Sequence, residues 1–165
     1  MDTSLFALKK LQKELKDINE KGDVSFTVDL PDPSNFYSWT ALIEGPENSI
    51  YEGALFSAKL DFPKDYPLNP PRFQFTCPMW HPNIYPSGEV CISILHRPEH
   101  DPLNEKETLD EKWRPVLGVK EVILSIQSLL TSPNTDSPAN VDAAIQFRNN
   151  YDEYRKKVKS MLPSD

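Results

Sequence analysis

Leu8, Leu11, Leu15 and Ile18 recur at helical spacing near the start of the chain, and Lys9, Lys10, Lys13 and Lys16 fall largely on other faces. This predicts an amphipathic helix from about Ser4 to Asn19, with Asp2 or Thr3 as its N-cap and Gly22 just beyond its end. The period then drops to two. Val24, Phe26, Val28 and Leu30 alternate with polar residues, the pattern of a half-buried strand, until Pro31-Asp32-Pro33-Ser34-Asn35 breaks it. Three more strands are expected at Phe36 to Glu44, Ala54 to Asp61 and Arg72 to Thr76, with Gly45-Pro46-Glu47-Asn48 as one of the turns. Successive strands joined by short turns form an antiparallel meander. Helical periodicity returns at Val119 to Thr131, which carries Val122, Ile123, Ile126, Leu129 and Leu130. Two shorter helices follow near Val141 to Asn149 and Tyr151 to Met161. Without a repeat, low-complexity tract or linker, residues 1–165 form one α+β domain.

Between Cys77 and Pro115 neither period persists, and a long irregular stretch inside a compact domain is usually functional. Composition sharpens this: 16 prolines stand against 5 glycines, and they bunch between Pro63 and Pro115. Proline fixes φ and removes a donor, so this backbone is rigid and irregular. The net charge of −7 argues against partners that need clustered cations, nucleic acid and anionic membrane among them, with the lysines of the first helix as the one local exception. No apolar stretch is long enough to span a bilayer, and the amphipathic N-terminus lacks a signal core. The expected location is therefore cytoplasmic, with nuclear or endoplasmic-reticulum placement through a partner. Two cysteines in such a chain are unlinked thiols.

The irregular segment holds His81-Pro82-Asn83, then Cys91, with Tyr66-Pro67 and Pro70-Pro71 just before it. Gly45-Pro46, Tyr51-Glu52-Gly53, the run from Phe62 to Pro71, His81-Pro82-Asn83-Ile84-Tyr85, Gly88, Cys91-Ile92-Ser93-Ile94-Leu95 and Trp113-Arg114-Pro115 occur in order. In this set the chain resembles the ubiquitin-conjugating enzyme family over essentially its whole length. The resemblance implies a ubiquitin thioester on Cys91 and transfer to an amine. A thiol of ordinary pKa is a few per cent thiolate at neutral pH yet intrinsically nucleophilic. A side-chain amide such as Asn83 suits the oxyanion that forms when the amine attacks, a donor typically worth about 3 kcal/mol. The family assigns this Asn either that role or bracing of the neighbouring loop. His81 is implied to be structural, bonded to backbone. Ser137 falls at the gate position beside the incoming lysine, and Tyr85 resembles an acceptor-side residue. The acceptor needs such help, because an ordinary lysine is neutral in only about one molecule in 2,500 at pH 7. The Tyr66–Pro67 bond is implied to be cis.

Trp113 follows Cys91 by 22 positions, a wider gap than in the shortest family members. The extra segment, His96 to Lys112, carries Glu99, Asp101, Glu105, Glu107, Asp110 and Glu111. Such an acidic loop resembles the subgroups linked to cullin-type ligases and to endoplasmic-reticulum-associated degradation, both associated with proteasome-targeting polyubiquitin. The run from Ser132 to Asp142 looks more like the cullin-linked type, although the chain ends at Asp165 without the long acidic tail of many such members. Glu99 and Asp101 are expected to orient an acceptor ubiquitin through its cationic surface. Lys9, Lys13, Leu68, Pro115 and Val116 match positions that meet the activating enzyme and RING-type ligases. The implied partners are ubiquitin, its activating enzyme and a RING-type ligase, acting on a monomer with no cofactor and no metal. Cys77 is expected in the core. Three rivals remain: a zinc module of Cys77, His81, Cys91 and His96; a thiol hydrolase using Cys91 and His81; and a non-catalytic relative, which would lack Cys91.

Overall fold

The computed structural model describes residues 3–23 and 25–163. Helix α1 (Thr3–Lys21) leads into strands β1 (Phe26–Asp29), β2 (Ser38–Glu44), β3 (Leu55–Asp61) and β4 (Arg72–Phe75), and α2 (Val119–Thr131), α3 (Val141–Asn149) and α4 (Tyr151–Met161) close the chain. The sheet is an antiparallel meander in the order β1-β2-β3-β4. Its register runs from Phe26 opposite Ile43, through Ala41 opposite Ala58, to Leu60 opposite Phe73. Gly22, in the left-handed region, closes α1 by donating its N–H to the Ile18 carbonyl at 2.9 Å. The Asp2 cap and the strand position at Val24 lie outside the described residues, and Thr3 is the first residue of α1.

Alternation decides the inner face. Phe26, Val28, Trp39, Ala41, Ile43, Phe56, Ala58, Leu60, Phe73 and Phe75 are buried and join Val119, Val122, Ile123 and Ile126 of α2 in one core. On α1 the deepest residues are Ala7 and Leu11, with Leu15 and Ile18 packed at the edge; Leu8 is only half-buried. Burying an aromatic of this size is worth roughly 2–3 kcal/mol, so the sheet face and α2 hold the domain together. Strand β2 begins at Ser38 and not Phe36 because a local turn occupies those residues. The Asn35 side chain accepts the Tyr37 N–H at 2.9 Å, and the Phe36 carbonyl accepts Trp39 Nε1–H at 2.8 Å. Likewise Ala54 belongs to a turn, its N–H on the Tyr51 carbonyl. Among the described residues no helix is long and apolar enough to cross a membrane.

Candidate functional site

The segment after β4 is irregular but tightly tied. Ile84 bridges Val90, and the Tyr85-Pro86-Ser87-Gly88 turn is closed by Gly88 N–H on the Tyr85 carbonyl at 2.8 Å. Gly88 has φ +94, and a Cβ there would strike the Phe75 carbonyl, whose own N–H donates to Gly88 at 2.8 Å. This small hairpin rides on β4 and ends with Cys91 N–H donating to the Asn83 carbonyl at 2.8 Å. Cys91 and Asn83, eight residues apart in sequence, are thus adjacent through backbone. Cys91 is half-buried. Cys77 packs at the core edge with its sulfur 3.7 Å from the Ser57 carbonyl.

His81 is fully buried. Its Nε2–H faces the Leu129 carbonyl at 2.8 Å, and its Nδ1 accepts the Asn83 N–H at 3.0 Å, which fixes one neutral tautomer. Burial pushes its pKa down to about 4, against the pull of the Leu129 carbonyl. With both nitrogens committed to backbone, His81 has no free edge for a base or a metal. Asn83 is 4% exposed, and its side chain is equally committed. Its Nδ2 donates to the Asn134 carbonyl at 2.7 Å and its Oδ1 accepts the Asn134 N–H at 2.8 Å. Asn140 N–H adds a 2.9 Å bond to the Pro82 carbonyl. Residues 132–140, which carry exposed Ser137, are thereby bound to the His81–Asn83 segment. Tyr85 is 44% exposed at the tip of the hairpin. The Tyr66–Pro67 bond is cis.

On the other side of Cys91, one 3-10 turn (Ser93–Leu95) leads to His96. The Cys91 sulfur beside it raises the His96 pKa above the ordinary histidine value; burial opposes this and Glu107 adds to it. Glu107 Oε2 accepts from Ser93 Oγ at 2.6 Å and pairs with His96 Nδ1 at 2.6 Å, and Lys112 Nζ stands 3.5 Å from Oε1. Burial would raise the Glu107 pKa, but Ser93, His96 and Lys112 together hold it below the usual value. Lys112 is 2% exposed and also donates to the Glu99 carbonyl, while Trp113 N–H on the His96 carbonyl closes the loop's neck at 3.1 Å. Of the six acidic residues in this loop, Glu107 is held inside the cluster, and Glu99, Asp101, Glu105, Asp110 and Glu111 remain exposed. Sequence reasoning met His96 only as a zinc candidate, and missed Ser93, Glu107 and Lys112. The available signal was a histidine five residues after the thiol, with a serine between them. Among the described residues no group of three or more His, Cys, Asp or Glu is gathered as for a metal.

A second surface forms where α1 meets two loops. Leu68 is 55% exposed and Val116 78% exposed, Pro115 lies beside it, and Phe6 flanks them on α1. Lys9 is exposed, and Lys13 is exposed but paired to Asp17 at 2.8 Å.

Comparison with known proteins agrees with this geometry. A family model described as ubiquitin-conjugating enzyme matches residues 10–162. Ubiquitin-conjugating enzyme E2 15 of Schizosaccharomyces pombe is 45% identical over 152 residues, 92% of this chain and 90% of that protein. Ubiquitin-conjugating enzyme E2 14 of Arabidopsis thaliana is 49% identical over 148 residues, 90% of this chain and 88% of that protein. Ubiquitin-conjugating enzyme E2 G2 of Homo sapiens is 44% identical over 156 residues, 94% of each chain.

Proposed function

The chain belongs to the ubiquitin-conjugating enzyme family and is a ubiquitin transferase, and on that footing we propose that Cys91 carries ubiquitin as a thioester and passes it to lysine under a RING-type ligase. Family membership brings ubiquitin, an activating enzyme and a ligase as partners in general. The observation that carries the proposal is the placement of Cys91: half-exposed, its N–H anchored on Asn83, its sulfur next to the His96–Glu107 pair.

In charging, the Cys91 thiolate attacks the carbonyl of ubiquitin held as a thioester on the activating enzyme, whose thiolate leaves. In discharge, a lysine nitrogen attacks the new thioester carbon and an oxyanion forms. The C–S bond then breaks, its electron pair goes to the Cys91 sulfur, and the proton lost by the amine passes to solvent water. Protonated His96 places positive charge beside the sulfur that must carry that pair, and Glu107 favours the protonated form. Asn83 supports the step by bracing residues 132–140, where Ser137 lies, and its second amide N–H is the group available to the oxyanion. Tyr85 stands on the acceptor side.

The exposed carboxylates Glu99 and Asp101 attract and orient the lysine-bearing face of an acceptor ubiquitin, so the product is a polyubiquitin chain that marks substrates for the proteasome. Likeness to the E2 G2 proteins favours the subgroup of endoplasmic-reticulum-associated degradation over the cullin-linked one. The enzyme acts in the cytoplasm, reaching the reticulum surface or the nucleus through a partner, and works as a monomer. Leu68, Pro115 and Val116, with Lys9 and Lys13 on the adjoining helix, receive the activating enzyme and the ligase. An exposed leucine beside a rigid proline is the sort of small anchor that dominates interface energy. The test is charging with activating enzyme, ATP and a panel of modifiers: a thiol-sensitive adduct with ubiquitin is expected. An adduct formed only with a ubiquitin-like modifier would overturn the substrate assignment.

A further inference from the structure

Beneath the surface of Phe6, Leu68 and Val116 lies a carboxylate that the transfer chemistry does not use. Glu14, on α1, has a side chain only 16% exposed. Its Oε2 accepts the Tyr66 hydroxyl at 2.5 Å, and its Oε1 accepts the Val119 N–H at 2.7 Å. Lys10, one turn earlier, stands 3.8 Å from the carboxylate and lies over the Tyr66 ring at 5.8 Å. Three segments therefore converge on one side chain: α1, the 62–71 loop that carries Leu68, and the 113–118 loop that carries Pro115 and Val116. Trp113 stitches the two loops together, donating Nε1–H to the Pro67 carbonyl at 2.7 Å with its ring 5.8 Å from that of Tyr66.

The neighbouring glycine fits this convergence. Val119 is the first residue of α2, so its N–H is one of the donors a helix leaves unpaired. The N-cap, Gly118, has no side chain to satisfy it. The acceptor comes instead from another helix. Gly118 has φ −146, extended backbone that any residue adopts, so its conformation does not call for glycine. Space does: a Cβ at Gly118 would fall on the Glu14 carboxylate. Burial disfavours the charged form of Glu14 and raises its pKa, which the Tyr66 and Val119 bonds partly offset.

We propose that Glu14 is the positioning residue of the ligase-engaging surface, holding the Leu68 and Val116 loops at one spacing on α1, and that Gly118 is glycine to leave room for it. This rests on the RING-ligase reading for its functional consequence, but the positioning itself can be read without a ligase.

The experiment compares Glu14→Ala, Gly118→Ala, their double variant, Tyr66→Phe and Glu14→Gln with the wild type. In amide NMR spectra, Leu68 and Val116 should shift together in Glu14→Ala and in Gly118→Ala, since an alanine methyl would dislodge the carboxylate from Val119. In single-turnover discharge, the RING concentration giving half-maximal acceleration should rise about tenfold, with the plateau and the ligase-free rate unchanged. Gly118→Ala should add almost nothing in the Glu14→Ala background, because the group it displaces is already gone. Tyr66→Phe should move the same signals in the same direction. Glu14→Gln should restore both readouts, its carbonyl accepting from Val119 and its amide donating to the Tyr66 oxygen. Unmoved Leu68 and Val116 amides, additive alanine variants, or a lowered plateau at unchanged half-maximal concentration would each overturn the proposal. A wild-type enzyme that no RING domain accelerates overturns the ligase reading, and the NMR signals then decide the positioning role alone.

Discussion

Replacing His96 with glutamine removes the imidazolium from the side of the Cys91 sulfur and keeps a polar side chain of similar reach. A contact between unit charges is worth about 1 kcal/mol in water and about 4 kcal/mol at a surface dielectric of about 20. The His96 side chain is 38% exposed, so solvent screens it and the value falls low in that range, about 1.5–2 kcal/mol. Applied to a departing thiolate, this slows discharge roughly ten- to thirtyfold. The assay is single-turnover transfer of preloaded ubiquitin to hydroxylamine across pH, with rates expressed per neutral hydroxylamine so that the acceptor's own titration is divided out and His96 is left as the titrating group. The Cys91 sulfur and, after it, Glu107 raise the His96 pKa in the free enzyme, and Glu107 is the support that remains once Cys91 is a thioester. The contribution of its charge is therefore present below that pKa and lost as pH rises through it. Glu107→Gln withdraws part of the support, so the loss should begin at lower pH in that variant. Discharge by His96→Gln within twofold of wild type at every pH, or an inflection unmoved in Glu107→Gln, would refute the argument.

Three further outcomes follow from the geometry. Asn83→Ala should destabilise the protein by about 1–3 kcal/mol in urea unfolding, since two bonds to Asn134 are lost, and should slow discharge more than charging; a purely local oxyanion donor would leave stability unchanged. His81 is held neutral with a pKa near 4 against an ordinary 6.5, so the unfolded chain gains a proton first as pH falls. Stability should drop by about 3 kcal/mol from this group between pH 6.5 and pH 4, and a His81 imidazole signal, assigned by its loss in His81→Gln, titrating above pH 6 would contradict it. Glu99→Gln with Asp101→Asn should leave charging within about threefold and slow ubiquitin–ubiquitin linkage by roughly tenfold, about 1.4 kcal/mol, with a weaker salt dependence than wild type; identical rates and salt responses would leave the loop without that role.

The α+β architecture was legible because the periods are clean. Strands β1 to β4 alternate with one inward face, and α2, α3 and α4 occupy the expected spans. Strand starts slipped where side chains bond locally, as Asn35 does to Tyr37, because hydrophobic alternation carries no information about such turns. For the candidate site the sequence supplied residue types but not their orientations. Nothing in the sequence distinguishes an Asn83 amide aimed at a substrate from one bound to the Asn134 backbone 51 residues away. Nor does a run of carboxylates reveal that Glu107 turns inward while Glu99 and Asp101 face solvent. That distinction depends on Lys112, a buried lysine whose charge is satisfied only by the folded loop. Glu14 was invisible for the same reason, since its partners Tyr66 and Val119 lie 52 and 105 positions away.

The central claim is that Cys91, and not Cys77, carries ubiquitin, and the most direct measurement is the chemistry of the adduct in two serine variants. With activating enzyme and ATP, Cys91→Ser should trap ubiquitin as an ester that survives thiol treatment, mapped by mass spectrometry to the peptide containing residue 91. Cys77→Ser should form the ordinary thiol-labile adduct at the wild-type rate. A folded Cys77→Ser protein that cannot be charged, or a Cys91→Ser protein that still forms a thiol-labile adduct, would contradict the assignment.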